Sequence, residues 1–425
     1  MKNSFSHPDW SKKSNIYEVN IRQYTKDGTF KAFLPHIDRL HNMGVDILWL
    51  MPISPIGKLN RKGKLGSYYA INNYTAINPE FGTMEDFKEV VEKVHSLGMH
   101  IIIDWVANHT AWDHSWVRSN PEWYQKDADG VIKSPFDWTD ALALNYENKD
   151  LWKAMIDSMK FWLRETDIDG FRCDVAMLVP VEFWNEARKE MDKLKPVFML
   201  AEAEEINHHE EAFDASYTWE LFKIMQKVVK GERNVMHIYE ELEKEKSLFP
   251  TSAYRMLFTS NHDENSWNGT EFELFGDAAR TISVLSFVMP GIPLIYNGQE
   301  AVLNHRLEFF EKDEIDWTHL YGEEYYRHMI NIKNNNPALW NGNSGSELIK
   351  LNNSSKYKVL SFARQKGDNT VLVIVNLSNE SFDSNVNFSS FEGIYTNSFT
   401  NEELIITTET KFQFDPWQYF VAELH

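Results

Sequence analysis

The first hundred residues alternate between short apolar runs and longer segments in which every third or fourth residue is apolar. Runs of the first kind predict β-strands, and segments of the second kind predict amphipathic helices. The predicted strands cover residues 15–24, 45–51 and 99–106, and the predicted helices cover 30–43 and 87–97. Gly44 and Gly98 follow the two helices, where glycine commonly ends a helix. Strands that alternate with helices predict a parallel sheet.

The same alternation continues to about residue 334. Predicted helices at 151–165 and 181–194 lead into apolar runs at 170–175 and 197–202, and 213–217 is a sixth candidate strand. The runs 255–263 and 291–300, separated by a predicted helix at 276–287, complete the series. Eight strand and helix units predict an α/β fold of the (β/α)8 TIM barrel type.

Two regions depart from this alternation. Residues 109–148 are rich in loops and aromatic residues, which favours a small subdomain inserted after strand 3, because loops this long are usually functional. After residue 340 the runs become short and alternating, which predicts an antiparallel β-sandwich. The predicted domains are 1–108 and 149–340 for the two parts of the barrel, 109–148 for the insertion and 341–425 for the C-terminal sandwich.

Four of the apolar runs end in a carboxylate, at Asp104, Asp174, Glu202 and Asp263. Arg172 lies two residues before Asp174, and side chains two apart in a strand share a face. An isolated ion pair or a helix cap explains one such acid. Four of them at successive strand ends instead indicate the C-terminal rim of a barrel, where barrel enzymes assemble their active sites.

Composition and charge narrow the choice of partner. The formal net charge of -20 argues against nucleic acid, which is bound through clustered lysine and arginine. Aromatic residues make up 14% of the chain, and their flat rings suit sugars. Cys173, the single cysteine, is expected to be a packed thiol. Residues 1–8 lack the apolar core of an export signal and no segment is long enough to cross a bilayer, so we expect a cytoplasmic protein, or a secreted or periplasmic one if a signal was trimmed.

Six short stretches, in order along nearly the whole chain, resemble motifs of the α-amylase family, glycoside hydrolase family 13. Four lie at the strand ends: Asp-Trp-Val-Ala-Asn-His at 104–109, Gly-Phe-Arg-Cys-Asp at 170–174, Glu-Ala at 202–203 and Ser-Asn-His-Asp at 260–263. Two further stretches, 44–52 and 291–300, resemble flanking motifs. Each stretch alone is weak evidence, but six in the right order are specific.

The resemblance implies a role for each matched residue. Asp174 would be the nucleophile, Glu202 the general acid/base, and Asp263 the carboxylate that binds sugar hydroxyls and supports the transition state. The substrate-binding residues that the resemblance implies are Tyr69, whose ring would stack under the reacting glucose, Asp104, which would hold the site together, His109, Arg172 and His262.

The chemistry of these residue types is consistent with those roles. Displacement with retention needs an ionised nucleophile and a protonated acid about 5 to 5.5 Å apart. Arg172 is expected to lower the pKa of Asp174, whereas an apolar run and nearby anions are expected to raise the pKa of Glu202.

In that family a calcium ion commonly ties the inserted subdomain to the barrel. Asn108 matches a family ligand, with Asp140 and Asn145 as further oxygen donors, so the resemblance implies Ca²⁺, although such side chains also cap turns. His208 and His209 lie in a polar stretch and are expected to be solvated.

The resulting prediction is a retaining α-glucan hydrolase that cleaves α-1,4-glucosidic bonds in starch or maltooligosaccharides through a covalent glycosyl-enzyme intermediate. A glucosyl transferase or isomerase on the same fold and a non-catalytic glucan-binding protein are the alternatives. Met177 and Leu178 stand where amylases often have lysine and histidine, and Ala70 where many members have aspartate. These departures leave the linkage, the endo or exo action and the product length open, and the sequence does not indicate an oligomeric state.

Overall fold

The computed structural model describes residues 5–424. The chain folds into two compact units. Among the described residues, the first unit comprises 5–8, 16–217 and 296–323, and the second comprises 9–15, 218–295 and 324–424. The domain boundaries predicted from composition stay predictions.

Within residues 5–424, eight parallel strands close into a barrel. The strands of the barrel and its insertion are β1 (Ile16–Val19), β2 (Ile47–Leu50), β3 (His100–Trp105), β4 (His109–Ala111), β5 (Ala141–Ala143), β6 (Gly170–Cys173), β7 (Phe198–Ala201), β8 (Ala215–Tyr217), β9 (Tyr254–Leu257) and β10 (Ile292–Tyr296). Around the barrel they follow chain order, except that β4 and β5 form a separate antiparallel pair within the insertion. The predicted (β/α)8 barrel is confirmed.

Helices separate the parallel strands, as that architecture requires. The α-helices of the described residues are α1 (Ile21–Tyr24), α2 (Phe30–Phe33), α3 (Ile37–Met43), α4 (Met84–Ser96), α5 (Trp116–Ser119), α6 (Lys149–Thr166), α7 (Val181–Met191), α8 (His208–Glu211), α9 (Trp219–Val229), α10 (Val235–Leu248), α11 (Glu271–Phe275), α12 (Ala279–Val288) and α13 (Glu323–Asn335). None of them is both long enough and apolar enough to span a membrane.

Several of the predicted elements were wrong in their extent, and two of them lie near the start of the barrel. The strand predicted at 15–24 ends at Val19, and α1 follows because the Asn20 side chain accepts a hydrogen bond from the backbone N–H of Gln23. The helix predicted at 30–43 is split into α2, a 3-10 turn and α3. Pro35 lies in that turn, where it removes a backbone donor that a continuous helix would need.

The register of β3, β6 and β7 determines which residues at the strand ends lie next to one another. Asp104 of β3 pairs with Arg172 of β6, and Cys173 pairs with Ala201 of β7. The start of β6 requires glycine, because a Cβ at Gly170, which has φ +152°, would lie 1.9 Å from the carbonyl oxygen of Phe198. The two strands can therefore approach closely, and the residues that follow them emerge side by side.

The C-terminal part of the second unit consists of antiparallel strands. They are β11 (Leu348–Lys350), β12 (Val359–Lys366), β13 (Asn369–Asn376), β14 (Phe382–Asn387), β15 (Gly393–Asn397), β16 (Glu403–Ile406), β17 (Glu409–Phe414) and β18 (Tyr419–Leu424). A six-stranded sheet and the β14–β17 pair contribute to one core, in which Phe412 and Phe414 pack with Leu372 and Ile374. This arrangement confirms the predicted antiparallel β-sandwich.

Candidate active site

Asp174 and Glu202 occupy equivalent positions on neighbouring strands. The ladder continues one residue past β6 and β7, since the N–H of Asp174 donates to the Trp105 carbonyl and the N–H of Glu202 donates to the Cys173 carbonyl, both at 3.0 Å. Adjacent strands lie about 4.8 Å apart, so the two carboxylates start from backbone positions at that spacing. Cys173 between them is a buried free thiol, as expected.

Arg172 contacts three of the carboxylates at these strand ends. Its Nη1 lies 2.9 Å from Asp104 Oδ1 and 3.1 Å from Asp174 Oδ1, and its Nη2 lies 2.8 Å from Glu202 Oε2. The approach to Glu202 is close but poorly directed for a hydrogen bond, so we treat it as an ion pair. Arg172 and Asp174 thus share one face, as their spacing predicts.

Arg172 offsets part of the negative charge of its three carboxylate partners. Arg172 is fully buried, and burial acts to lower its pKa, but Asp104 and Glu202 outweigh that effect and raise the pKa well above its usual value. The guanidinium also stabilises the ionised forms of the carboxylates it contacts. Glu202 is among these carboxylates, so the raised pKa expected for it stays a prediction. Bound substrate would have to supply part of the environment that favours the protonated form of Glu202.

Asp104 is held by donors from the protein itself. Besides Arg172, the hydroxyl of Tyr69 donates to Asp104 Oδ2 at 3.1 Å, and Trp49 Nε1 donates to the same oxygen at 3.3 Å. The side chain of Asp104 is fully buried. We therefore interpret Asp104 as a positioning residue that orients Arg172 and Tyr69, which is the supporting role that the resemblance implied.

His109 joins the same cluster through Tyr69. Its ring hydrogen-bonds to the backbone of Tyr69, and burial lowers the pKa of His109 to about 4, so the imidazole is neutral at physiological pH. The Trp138 ring lies 5.3 Å from the His109 ring, and the indole of Trp112 donates to the Thr139 carbonyl at 3.0 Å. The inserted segment therefore brings the Trp138 ring to His109, and Trp112 is hydrogen-bonded to the residue that follows Trp138.

Phe309, which no sequence pattern singled out, extends the aromatic surface at Tyr69. The two rings are nearly parallel, with 12° between their planes and 6.2 Å between their centroids. Phe309 lies in the loop that follows β10, outside every recognised motif, and is half-buried. Only the fold reveals this contact.

Val175, directly after Asp174, adopts a backbone conformation that valine rarely takes. Its φ is 36° and its ψ is 48°, in the left-handed region. In this conformation its backbone N–H donates to Glu202 Oε2 at 2.7 Å. Left-handed backbone is strained for a β-branched residue and tends to occur at functional sites. The strained backbone at Val175 thus places the N–H that holds one oxygen of Glu202.

We expect Val175→Gly to stabilise the protein and to leave kcat nearly unchanged. The strain relieved, about 1–3 kcal/mol, exceeds the cost of a glycine, about 0.5–1 kcal/mol, and the N–H that holds Glu202 is kept. Urea unfolding and steady-state kinetics measure the two effects. Val302→Gly is the matched control, since Val302 has φ 57° and no part in the site. A large loss of kcat in Val175→Gly alone would show instead that the valine side chain itself is required.

The fourth carboxylate, Asp263, lies in the second unit after β9. Its Oδ2 is 3.4 Å from Nε2 of the buried His262, and the Asp263 side chain is 38% exposed. Asn261 Oδ1 accepts from the backbone N–H of Glu264 at 2.8 Å, which orders the turn. Trp267, in the π-helix that follows, is exposed. The predicted roles of Asp263 and His262 beside Asp174 stay predictions.

The residues predicted to bind calcium fit a cation only in part. Asn108 and Asp140 are buried and bring oxygen donors. However, Lys62 Nζ lies 3.4 Å from Asp140 Oδ1, so the chain already supplies a positive charge there. In residues 5–424 no group of three His, Cys, Asp or Glu side chains is arranged to hold a metal. Calcium stays a prediction, and Lys62 would compete with it at Asp140.

The expectation that His208 and His209 are solvated was wrong. Both lie in α8 and are buried. His209 Nε2 is hydrogen-bonded to Ser216 Oγ at 2.7 Å, and His208 Nε2 faces the Ala176 carbonyl at 3.5 Å. The His208 contact joins residues 32 positions apart, and each ring has a buried partner that a polar local sequence does not reveal.

Known proteins resemble this chain over most of its length. The sequence model of the alpha-amylase catalytic domain matches residues 4–142 and 136–372. Alpha-amylase 2 of Dictyoglomus thermophilum is 27% identical over an alignment 450 positions long. The alignment covers 93% of this chain and 75% of that protein. A crystal structure of an alpha-amylase from Lactobacillus plantarum has a TM-score of 0.88 and 30% identity, and the match covers 98% of this chain and 100% of that one.

Several relatives are transferases by name. The alpha-1,4-glucan:maltose-1-phosphate maltosyltransferase of Picrophilus torridus is 28% identical over 410 residues, which cover 87% of this chain and 61% of that protein. Similarity at this level does not separate hydrolysis from transfer. The match to the catalytic-domain model extends over far more than half of the sequence, and the chain belongs to the alpha-amylase family.

Proposed function

We propose that this protein is a retaining α-glucan hydrolase that cleaves α-1,4-glucosidic bonds in starch or maltooligosaccharides. The observation that carries the proposal is the placement of Asp174 and Glu202 on adjacent strands, both in contact with Arg172. Carboxylates about 5 to 5.5 Å apart suit a double displacement, whereas inversion needs about 6.5 to 9.5 Å to admit a water. Neighbouring strand positions favour the shorter separation.

In the proposed mechanism Asp174 attacks the anomeric carbon while Glu202 protonates the departing glycosidic oxygen. A bond forms between Asp174 and the sugar as the glycosidic bond breaks, which inverts the configuration once. Glu202, now ionised, accepts a proton from a water that attacks the same carbon and releases Asp174, which inverts it again. Arg172 keeps Asp174 ionised, and its contact with Glu202 stabilises the anion formed in the first step.

Transfer to a second sugar is the main rival reaction. It uses the same covalent intermediate and differs only in what accepts the glycosyl group. The named transferases among the relatives support this alternative. Met177 and Leu178, which follow the nucleophile, are both exposed and apolar, so they offer an acceptor surface that does not hold water by hydrogen bonds. A non-catalytic glucan-binding role is less consistent with three retained carboxylates.

One digest separates these reactions. Maltoheptaose, amylose and pullulan would be incubated with the enzyme, with products separated by chromatography and the first-formed anomer read by ¹H NMR. Reducing ends are expected to rise in step with cleavage of α-1,4 bonds, and the first product is expected to be the α-anomer. Longer or rearranged oligosaccharides as the main products would show that the enzyme catalyses transfer and not hydrolysis. Intact substrates with measurable binding would support the non-catalytic alternative.

We further propose that calcium binding, if it takes place at Asp140, is weakened by Lys62. Calcium would connect the inserted segment to the barrel through Asn108 and Asp140 and would take part in no chemical step. Replacing Lys62 by methionine leaves Asp140 without its nearest cation, so Ca²⁺ is expected to raise the melting temperature more in Lys62→Met than in the wild type. Lys64→Met, two residues away and exposed, is the control. Equal responses to Ca²⁺ and to EDTA in all three proteins would place any calcium elsewhere.

A further inference from the structure

The second unit contains a cavity of about 350 Å³ that none of the proposed chemistry uses. Its walls come from α10, the segment that precedes β11, and β12, and the residues that matter most are Tyr239, Phe249, Trp340, Gly345, Leu348 and Arg364. Cavities that bind small molecules span about 300–1,000 Å³, so this volume suits a ligand of modest size.

Arg364 brings a buried positive charge to the wall of this cavity. Its side chain is fully buried. Nη1 donates to the Val288 carbonyl at 3.0 Å, and Nε donates to Ser346 Oγ at 3.4 Å. Both acceptors are neutral, and in residues 5–424 no carboxylate forms an ion pair with this guanidinium. Burial alone lowers the pKa of Arg364 to about 9, so it is still charged at neutral pH.

Nη2 of Arg364 lies beside a position that has no side chain. A Cβ at residue 345 would lie 3.1 Å from this nitrogen, but that position is Gly345, which itself lines the cavity. A guanidinium carries five N–H donors, and the Val288 and Ser346 acceptors occupy only part of that set. A buried charge without a counter-ion is unfavourable, and an anion in the cavity would relieve that cost.

Four of the other charges around the cavity form two ion pairs. Arg255 pairs with Glu245 at 2.8 Å, and Lys246 pairs with Glu347 at 2.8 Å. Glu243, at the rim, is exposed. The net charge of -20 gives the whole protein a negative potential, so any preference for an anion here has to come from Arg364 itself.

Part of the remaining wall is apolar. Phe249, Trp340 and Leu348 are half-buried and present ring and methyl surface. The hydroxyl of Tyr239 is already hydrogen-bonded to the backbone of Ser361 at 2.7 Å, and Lys350 Nζ lies over its ring, 4.1 Å from the centroid, so only the rest of that ring can contribute to the wall. An inorganic ion could form an ion pair with Arg364 but would make no apolar contacts with these side chains.

We infer that this cavity binds a small organic carboxylate, with its charge on Arg364 and its apolar body against Phe249, Trp340 and Leu348. The site is separate from the proposed glucan chemistry and does not depend on it. The ligand class follows from a buried cation that forms no ion pair with a described carboxylate and lies beside an apolar part of the wall.

Benzoate and its neutral analogue benzyl alcohol test this inference. Saturation-transfer NMR titrations on the full chain, at constant ionic strength and with saturating maltoheptaose, are expected to give a dissociation constant at least tenfold lower for benzoate. Equal affinities for the two probes, or inorganic phosphate displacing benzoate at equal concentration, would overturn it. This comparison uses only the wild-type protein, so it does not depend on a variant that folds.

Two variants then assign the effect to one residue. Arg364→Met is expected to abolish the preference for benzoate, whereas Lys246→Met, which removes a paired lysine from the same cavity, is expected to keep it. Arg364→Lys retains a charge without the planar fork and is expected to keep part of the preference. A preference that survives in Arg364→Met would place the anion elsewhere and refute the site.

Discussion

Glu202→Gln is expected to lower kcat on maltoheptaose by about 10² to 10⁴-fold, the usual contribution of a general acid. The side chain keeps its size and can still lie beside Arg172 and the N–H of Val175, so the loss reports proton transfer rather than folding. With α-maltosyl fluoride, whose leaving group departs without protonation, the loss in the first step is expected to be much smaller. Steady-state kinetics on the two substrates measures this difference.

Glu205→Gln is the matched control for that comparison. Glu205 lies three residues further along the same loop, is exposed, and undergoes the same chemical change. It is expected to retain wild-type kinetics on both substrates. If Glu202→Gln lost kcat/KM, which reports the first step, equally on maltoheptaose and on the fluoride, Glu202 would have to act in that step in some way other than as the proton donor.

Arg172→Met is expected to lower the free energy of unfolding at pH 7 by about 3–5 kcal/mol, since removal of one partner leaves buried charges unpaired. Three carboxylates lose their shared cation, and the side chain of Asp104 is fully buried. Protonation of those carboxylates relieves the repulsion, so the difference from wild type is expected to shrink as the pH falls from 7 towards 5. Guanidinium unfolding at several pH values measures it.

Arg172→Lys separates charge from geometry in the same position. Lysine supplies a cation but cannot contact Asp104, Asp174 and Glu202 at once, because it lacks the planar fork. It is expected to recover most of the lost stability at pH 7 but little of the activity. A pH-independent loss of stability in Arg172→Met would show that packing rather than charge explains the effect.

The features that the sequence predicted well are those set by local pattern. Apolar runs that alternate with amphipathic helices led to the barrel, and the two-residue spacing of Arg172 and Asp174 led to their shared face. The alignment of Asp174 with Glu202 needed the register of β6 and β7, which no local pattern contains. The sequence could place both residues at strand ends but not at equivalent positions.

The features that the sequence did not reveal depend on contacts between distant residues or on unusual backbone. Lys62 and Asp140 are 78 positions apart, and only the fold brings the lysine to the predicted calcium ligand. Val175 is a β-branched residue, and propensity alone argues against a left-handed conformation there. The buried His209 owes its position to Ser216, so its polar neighbours in sequence predicted the wrong environment.

A covalent bond between Asp174 and the sugar is the step on which the proposed chemistry depends, and trapping that intermediate tests it most directly. A 5-fluoro-α-glucosyl fluoride would be incubated with the enzyme, followed by proteolysis and mass spectrometry of the peptides. We expect one glycosylated peptide with the sugar on Asp174, and no adduct in Asp174→Asn. An adduct on any other residue, or turnover of the probe with inversion and no adduct, would contradict the assignment.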